Sequence, residues 1–108
     1  MKNYFILILL VIGFNGKAQD YESFLIGNPA DVSPTPTYGL CLMGGATEDD
    51  NAMIWLLNRA NGGDVVVLRT SGSDGYNDYL FNQLGVNVNS VETLLINNAN
   101  GATADYVL

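Results

Sequence analysis

The fold of this chain is decided by Cys41–Arg69, which reads CLMGGATEDDNAMIWLLNRANGGDVVVLR. An apolar run ends at Gly44 and Gly45, an acidic segment follows, and a second apolar run closes the stretch. In an α/β protein, this layout places a glycine-rich loop at the carboxyl end of a strand, where ligands bind. The stretch therefore predicts one rim of a binding or active site.

The acidic segment in the middle of the stretch predicts a helix. Thr47 and Asp50 have the spacing of an N-terminal capping box. Glu48 and Asp49 add negative charge where the helix dipole favours it. Gly62 is predicted to end the helix at its C-terminal cap. The apolar positions recur at helical spacing, at Met53, Ile54, Leu57 and Ala60.

Apolar runs on both sides of this helix predict strands. Tyr38–Met43 precedes the helix and Asp64–Arg69 follows it. The second run, DVVVLR, is apolar without alternation, which is typical of a strand buried on both faces of a parallel sheet. Ser90–Ile96, SVETLLI, predicts a third strand.

The segments after the second strand continue the same alternation. TSGSDG is a polar glycine-rich loop, and YNDYLFNQL predicts a second helix that Gly85 closes. The sequence ATADYVL predicts the start of a third helix, and Leu108 falls inside it. The apolar face of the second helix consists of Tyr76, Tyr79, Leu80 and Leu84.

The order β-α-β-α-β-α predicts a parallel sheet with helices on both faces, because short connections and right-handed crossovers allow little else. Three such strands leave open edges and uncovered apolar faces. We therefore expect the chain to be the N-terminal part of a longer domain. Before Tyr38, ESFLIGN is compatible with a short edge strand, and the proline-containing NPADVSPTPTYG predicts a loop.

The first eighteen residues, MKNYFILILLVIGFNGKA, predict a secretory signal peptide. Lys2 precedes a short apolar run, and Gly16 and Ala18 form a small-residue cleavage site. Cleavage after Ala18 would leave a secreted or periplasmic chain that starts at Gln19 and has no membrane attachment. A single N-terminal membrane anchor is the alternative, although the run is short for a membrane span.

Charge and composition exclude several function classes. After cleavage, two arginines and eleven acidic residues remain, a formal net charge of −9. Such a chain repels nucleic acid and anionic membranes, and it suits a neutral or cationic ligand. The absence of histidine removes histidine-based acid–base catalysis and metal ligation from this chain. Cys41 is the single cysteine, so it has no partner for an internal disulfide.

The stretch Gly39–Ile96 resembles the opening half of the cyanophycinase and peptidase E family of serine exopeptidases. Its ordered motifs are a strand, a glycine-rich turn, an acidic helix start, GGDVVVL, a serine-containing loop, a helix with Y…F…LG, and a further strand. The resemblance covers about Tyr38–Leu108. One departure is Ala46, where the family often has a third glycine; an ordinary φ is expected there.

The resemblance implies a flavodoxin-like three-layer αβα fold, of which this chain carries the first three β-α units. It also implies hydrolysis of Asp-containing or β-aspartyl peptides by a serine nucleophile on a strand-to-helix elbow, with a histidine base. Neither the nucleophile nor the base is expected in this chain, because it contains no G-x-S-x-G pattern and no histidine. The catalytic residues are expected beyond Leu108, and no cofactor is implied.

The residues left as candidates form a possible active-site rim: Gly44, Gly45, Ser71, Gly72 and Ser73. Tight turns explain them equally well. The carboxylates of Glu48, Asp49 and Asp50 suit a hard cation by type, but successive helical side chains point in different directions, so no metal site is predicted. Two functions stay open: an N-terminal fragment of a peptidase, whose partner is a peptide substrate, and a small self-contained secreted α/β binding module.

Overall fold

A computed structural model describes Gly16 and residues 18–108 of the chain. Its central element is the strand that the sequence predicted at Ser90–Ile96. In chain order the elements are β1 (Tyr21–Gly27), α1 (Asp50–Asn58), β2 (Asp64–Arg69), α2 (Gly75–Asp78), which continues as a π-helical segment over Tyr79–Gln83, β3 (Ser90–Ile96) and α3 (Ala99–Ala102). The predicted signal peptide, 1–18, lies outside the described residues except for Gly16 and Ala18.

The sheet has three strands in the order β1-β3-β2, and it is mixed. β2 pairs with β3 in parallel, through the crossover that α2 provides, whereas β1 pairs with β3 antiparallel. The prediction of a parallel flavodoxin-like αβα sheet is therefore wrong. The hydrophobic pattern located two of the strands, but a segment before the first predicted strand occupies the other side of β3. The short edge strand considered within ESFLIGN corresponds to β1.

The predicted strand Tyr38–Met43 is wrong, because this segment forms no ladder. It is held at the end of α1 instead: the Thr37 amide donates to the Arg59 carbonyl at 2.8 Å, and Arg59 Nη1 donates to the Tyr38 carbonyl at 2.7 Å. Gly39 lies so close to the Arg59 and Trp55 side chains that a Cβ would overlap both. These contacts satisfy backbone groups that a sheet would otherwise pair.

The helices start and end differently from their predicted boundaries. Asp49, not Thr47, caps α1, and its Oδ1 accepts from the Ala52 amide at 2.9 Å. The helix ends at Asn58, and Gly62, with φ 77°, closes the turn that follows. The predicted third helix is also misplaced, because its helical turn is Ala99–Ala102, capped by the Asn98 side chain.

The main core lies on one face of the sheet only. Leu57 of α1 and Leu80 after α2 pack with Val91 of β3, all nearly inaccessible to solvent. The four apolar residues predicted for the second helix all join this cluster. The expectation that β2 is buried on both faces is wrong, since Val66 and Leu68 are exposed on the opposite side. Both long helical segments pack against the same face of the sheet, so the expected helices on both faces are not formed.

A buried polar tie connects three elements across this core. Thr93 Oγ1 donates to Asn77 Oδ1 at 2.7 Å, and Asn77 Nδ2 donates to the Phe24 carbonyl at 2.9 Å. Thr93 of β3 is fully buried, and Asn77 of α2 is nearly so. Because a buried polar group is costly unless it is paired, this tie selects one docking position for α2.

At the amino ends of β2 and β3, the Asp64 carboxylate holds the proline-containing loop through hydrogen bonds. It accepts from Ser90 Oγ, Asn89 Nδ2 and the Val32 amide, at 2.6, 2.6 and 3.1 Å. Hydrogen bonds from these donors favour the carboxylate and lower the pKa of Asp64, and the bond from the Ser90 hydroxyl has the largest effect. The loop therefore packs against the amino ends of β2 and β3.

None of the helices described for residues 18–108 has the length and apolar character needed to cross a membrane.

We expect Thr93→Val to destabilise the fold by about 1–3 kcal/mol, because Asn77 Oδ1 would stay buried without its donor. Thr103→Val is the matched control, since that hydroxyl is exposed and bonds only to carbonyls of its own turn. Urea unfolding followed by circular dichroism measures both. Equal, small losses for the two variants would contradict a stabilising role for the tie.

Candidate functional site

The candidate site lies at the carboxyl end of β2, where two loops meet. One loop leads from Met43 into α1, and the other leads from β2 into α2. Between them is a cavity of about 200 Å³. Its lining residues are Met43, Glu48, Met53, Val67, Tyr76 and Leu80. The walls are therefore mainly apolar, with one carboxylate and one phenol inside.

A hydrogen bond from Tyr76, in the first turn of α2, to Glu48 joins that helix to the loop before α1. The Tyr76 hydroxyl donates to Glu48 Oε1, and Glu48 is half-buried. This bond lowers the pKa of Glu48 and raises the pKa of Tyr76, because it favours the carboxylate and the neutral phenol. At neutral pH the cavity therefore presents a fixed negative charge. A second bond, from the Tyr79 hydroxyl to Asp50 Oδ1 at 2.7 Å, connects the same two segments.

Arg69, the last residue of β2, organises the loop that contains the predicted serines. Its guanidinium lies 5.3 Å from the centre of the Tyr76 ring, and its Nη1 donates to the Ser73 carbonyl at 3.3 Å. Gly72 has φ 84°, and a Cβ there would lie 2.7 Å from Arg69 Nη2. The positive φ favours glycine at position 72, and a larger residue there would also displace the end of the Arg69 side chain.

The five predicted rim residues fall on these two loops, and all are exposed. Gly44 and Gly45 lie in the first loop, where a Cβ on either would meet no atom within 4 Å. Ser71, Gly72 and Ser73 lie in the second loop. The second group follows β2 directly, whereas Gly44 and Gly45 follow a segment that forms no strand, and the contacts between the two segments come from other residues.

Those other residues, Arg69, Tyr76 and Glu48, are absent from the site that the sequence predicts. The sequence pattern assigns Tyr76 to the core and Glu48 to helix capping, and both assignments describe only part of their environment. One feature of the sequence could have indicated this contact. Tyrosines recur at helical spacing in the second helix, the first helix begins with acidic residues, and the chain has few basic residues to pair with them. A phenol can donate to a carboxylate where no cation is at hand.

The arrangement offers a ligand apolar surface, one carboxylate and one phenol. Neither Ser71 nor Ser73 has a histidine base, since the chain contains none. Within residues 18–108, no group of three His, Cys, Asp or Glu side chains converges on a possible metal position. A carboxylate beside an apolar cavity favours a neutral or cationic ligand group.

Comparison of the chain with protein-family models, with curated proteins and with solved structures found no match in any of the three.

Ala46 departs from the expected ordinary backbone conformation. Its φ is 118°, in a region that favours glycine, so the prediction for this turn residue is wrong. The residue lies between Gly45 and Thr47 in the bend that leads to α1. The strain belongs to the same loop that forms one side of the cavity.

We expect Ala46→Gly to stabilise the protein by about 1 kcal/mol, because it removes a strained φ from the folded state, partly offset by the greater freedom of glycine when unfolded. Gly45→Ala, next in the chain, is a useful comparison, since Gly45 is not among the residues with positive φ. Thermal unfolding measures both, and a destabilised Ala46→Gly variant would contradict strain at this position.

The Tyr79–Asp50 bond generates a prediction in alkaline solution. The hydrogen bond to Asp50 raises the pKa of Tyr79 to about 12, chiefly because an ionised phenol has no proton to donate to Asp50 and would face its carboxylate. The folded pKa lies above the ordinary value of 10, so the stabilisation is complete below pH 10 and is lost as the pH rises towards 12. Asp50→Asn should bring the Tyr79 transition back towards 10.

Ultraviolet absorbance of tyrosinate is measured against pH for the full chain and for its Tyr79→Phe variant. The difference between the two curves isolates the ionisation of Tyr79. The same difference is then measured in the Asp50→Asn background. A Tyr79 transition that is unchanged by Asp50→Asn would show that the hydrogen bond is absent in solution.

Proposed function

We propose that residues 38–108 are the N-terminal part of a cyanophycinase-like serine exopeptidase and supply the rim of its substrate cleft, not its nucleophile. The ordered motifs of the sequence support the family. The observation that carries the proposal is the junction of the two glycine-containing loops at the carboxyl end of β2, made by the Tyr76–Glu48 bond. That end of a strand is where open α/β sheets bind their ligands.

The charge of this rim supports a substrate that carries a cation. Glu48 lies just before α1 and Asp50 is the first residue of that helix, and both accept hydrogen bonds from tyrosines of the facing segment. Their negative charge favours the arginine side chain of a β-aspartyl-arginine peptide over the side chain of an acidic or neutral dipeptide. The serine and histidine of the reaction come from outside this chain, which contains no G-x-S-x-G pattern and no histidine.

A self-contained secreted binding module is the second candidate. The closed core on one side of the sheet favours it, because Leu57, Leu80 and Val91 are buried without any further segment. In that case the cavity of about 200 Å³ would hold the ligand, without chemistry.

The first test is hydrolysis by the full chain. We expect no release of product from β-aspartyl-arginine or from Asp-Xaa dipeptides, and no change in Ser71→Ala or Ser73→Ala. The coding sequence after the codon for Leu108 then separates the candidates. A further strand, G-x-S-x-G and a histidine in frame support the peptidase, whereas an authentic stop codon in an intact locus supports the binding module.

If the reading frame continues, the longer protein tests the role of the rim. We expect Glu48→Gln to raise KM for β-aspartyl-arginine by about tenfold with little change in kcat, since a charge contact of about 1.4 kcal/mol in binding is lost. Asp31→Asn is the control: it removes the same charge beside Asp64 and Ser90, at the amino ends of the strands. Equal effects of the two variants would indicate that only net charge matters.

We further propose that the chain is exported and cleaved after Ala18. N-terminal analysis of the protein recovered from a bacterial host should find Gln19 first. Recovery of Met1 in the membrane fraction would support the anchor instead.

A further inference from the structure

The face of the sheet opposite the core is apolar, and its outer strands are uncovered, whereas Leu94 of the central strand is only 5% exposed. Leu25 pairs in register with Glu92, and so does Val66 on the other side, so these three side chains share one face across the three strands. Leu68, opposite Leu94, continues the same face. Val66 is 56% exposed and Leu68 is 68% exposed. We call this surface the open face.

A carboxylate lies at the centre of the open face. The hydroxyls of Ser23 and Tyr106 both donate to Oε1 of Glu92, the second at 2.6 Å. The Tyr106 ring also stacks on Tyr21, with ring centres 5.7 Å apart and planes 8° from parallel. Within residues 18–108, both of these bonds go to the same oxygen, so Oε2 can still accept a hydrogen bond from outside.

Beside Glu92 the open face contains a cavity of about 150 Å³. Leu25, Val66 and Tyr106 supply its apolar and aromatic walls, and Asp31 and Asp64 add negative charge at its edge. The combination suits a long side chain with an apolar stem and a cationic end, because such side chains bury the stem and keep the charge near polar groups.

We propose that the open face binds an amphipathic helix of a partner protein whose apolar stripe carries one lysine or arginine that pairs with Glu92. Three strands spaced by about 4.8 Å are about 10 Å wide, which equals the diameter of one helix with its side chains. Tyr106 lies over the part of the face between Tyr21 and Glu92, so the helix occupies the remaining part, at Leu25, Val66 and Leu68, which about ten helical residues cover.

A second copy of this chain is a poor occupant. Two open faces related by a two-fold axis would bring the two Glu92 carboxylates together, and like charges repel most strongly where water is removed. The helices described in residues 18–108 have the sequences DNAMIWLLN, GYND, YLFNQ and ANGA, none of which contains a basic residue. The two arginines in this region lie over Trp55 and beside Tyr76.

The experiment measures binding of three designed helical peptides to the full chain. Each has about fifteen residues, so that about ten helical residues cover the free part of the face, and a leucine stripe with arginine, methionine or glutamate at its centre. We expect the arginine peptide to bind about tenfold more tightly than the methionine peptide, and the glutamate peptide to bind least. In Glu92→Gln, the preference for arginine should disappear while the methionine peptide keeps its affinity.

Leu68→Asp should abolish binding of all three peptides. Leu40→Asp is the matched control, since Leu40 has the same 68% exposure but belongs to the segment outside the sheet. Both positions are exposed, so the variants should fold, and circular dichroism checks this. An arginine preference that survives Glu92→Gln, or equal effects of the two leucine variants, would overturn the proposal.

Sedimentation of the full chain without peptide tests the second copy. A concentration-dependent dimer that Leu68→Asp disrupts would identify another copy of the chain as the occupant and would also overturn the proposal. The hydrolysis tests depend on the opposite side of the sheet, so their failure leaves this outcome unaffected.

Discussion

The hydrogen bonds from Thr93 to Asn77 and from Asn77 to the Phe24 carbonyl are the constraint on which the rest of the structure depends. They join the central strand, the helical crossover and the antiparallel edge strand at a point that is nearly inaccessible to water. A displacement of α2 along the sheet would leave buried polar atoms unpaired, at a cost comparable with a large part of a small domain's stability. Because α2 is fixed there, Tyr76 and Tyr79 are held where they meet Glu48 and Asp50.

Within residues 18–108, phenol–carboxylate hydrogen bonds connect segments that carry acidic residues. Tyr76, Tyr79 and Tyr106 donate to Glu48, Asp50 and Glu92 respectively. A phenol satisfies one carboxylate lone pair without neutralising the charge. The protein therefore keeps its negative surface while its loops stay connected. Both functional proposals depend on this property, because a fixed, uncompensated carboxylate is what a cationic ligand group recognises.

The two faces of the sheet have different consequences for function. The core face contains the helices and orients the loops at the carboxyl end of β2. The open face has apolar side chains on both outer strands and a single charge in the middle. An exposed apolar surface of this kind is characteristic of an interaction site. The loops at the strand end and the open face are thus separate surfaces, each with its own carboxylate.

By itself, the sequence determined the elements whose signal is local. DVVVLR and SVETLLI are strands because β-branched and apolar runs fit a pleated sheet, and the tyrosine and leucine spacing of the second helix predicted its core contacts. It also placed the rim residues Gly44, Gly45, Ser71, Gly72 and Ser73 on two loops. Only the tertiary structure decided which segment pairs with β3. Tyr38–Met43 has a good strand pattern, yet Tyr21–Gly27 occupies that edge, because pairing depends on partners distant in sequence. The same reason explains the missed site residues: Tyr76 and Glu48 are 28 positions apart, and no periodicity records that they touch.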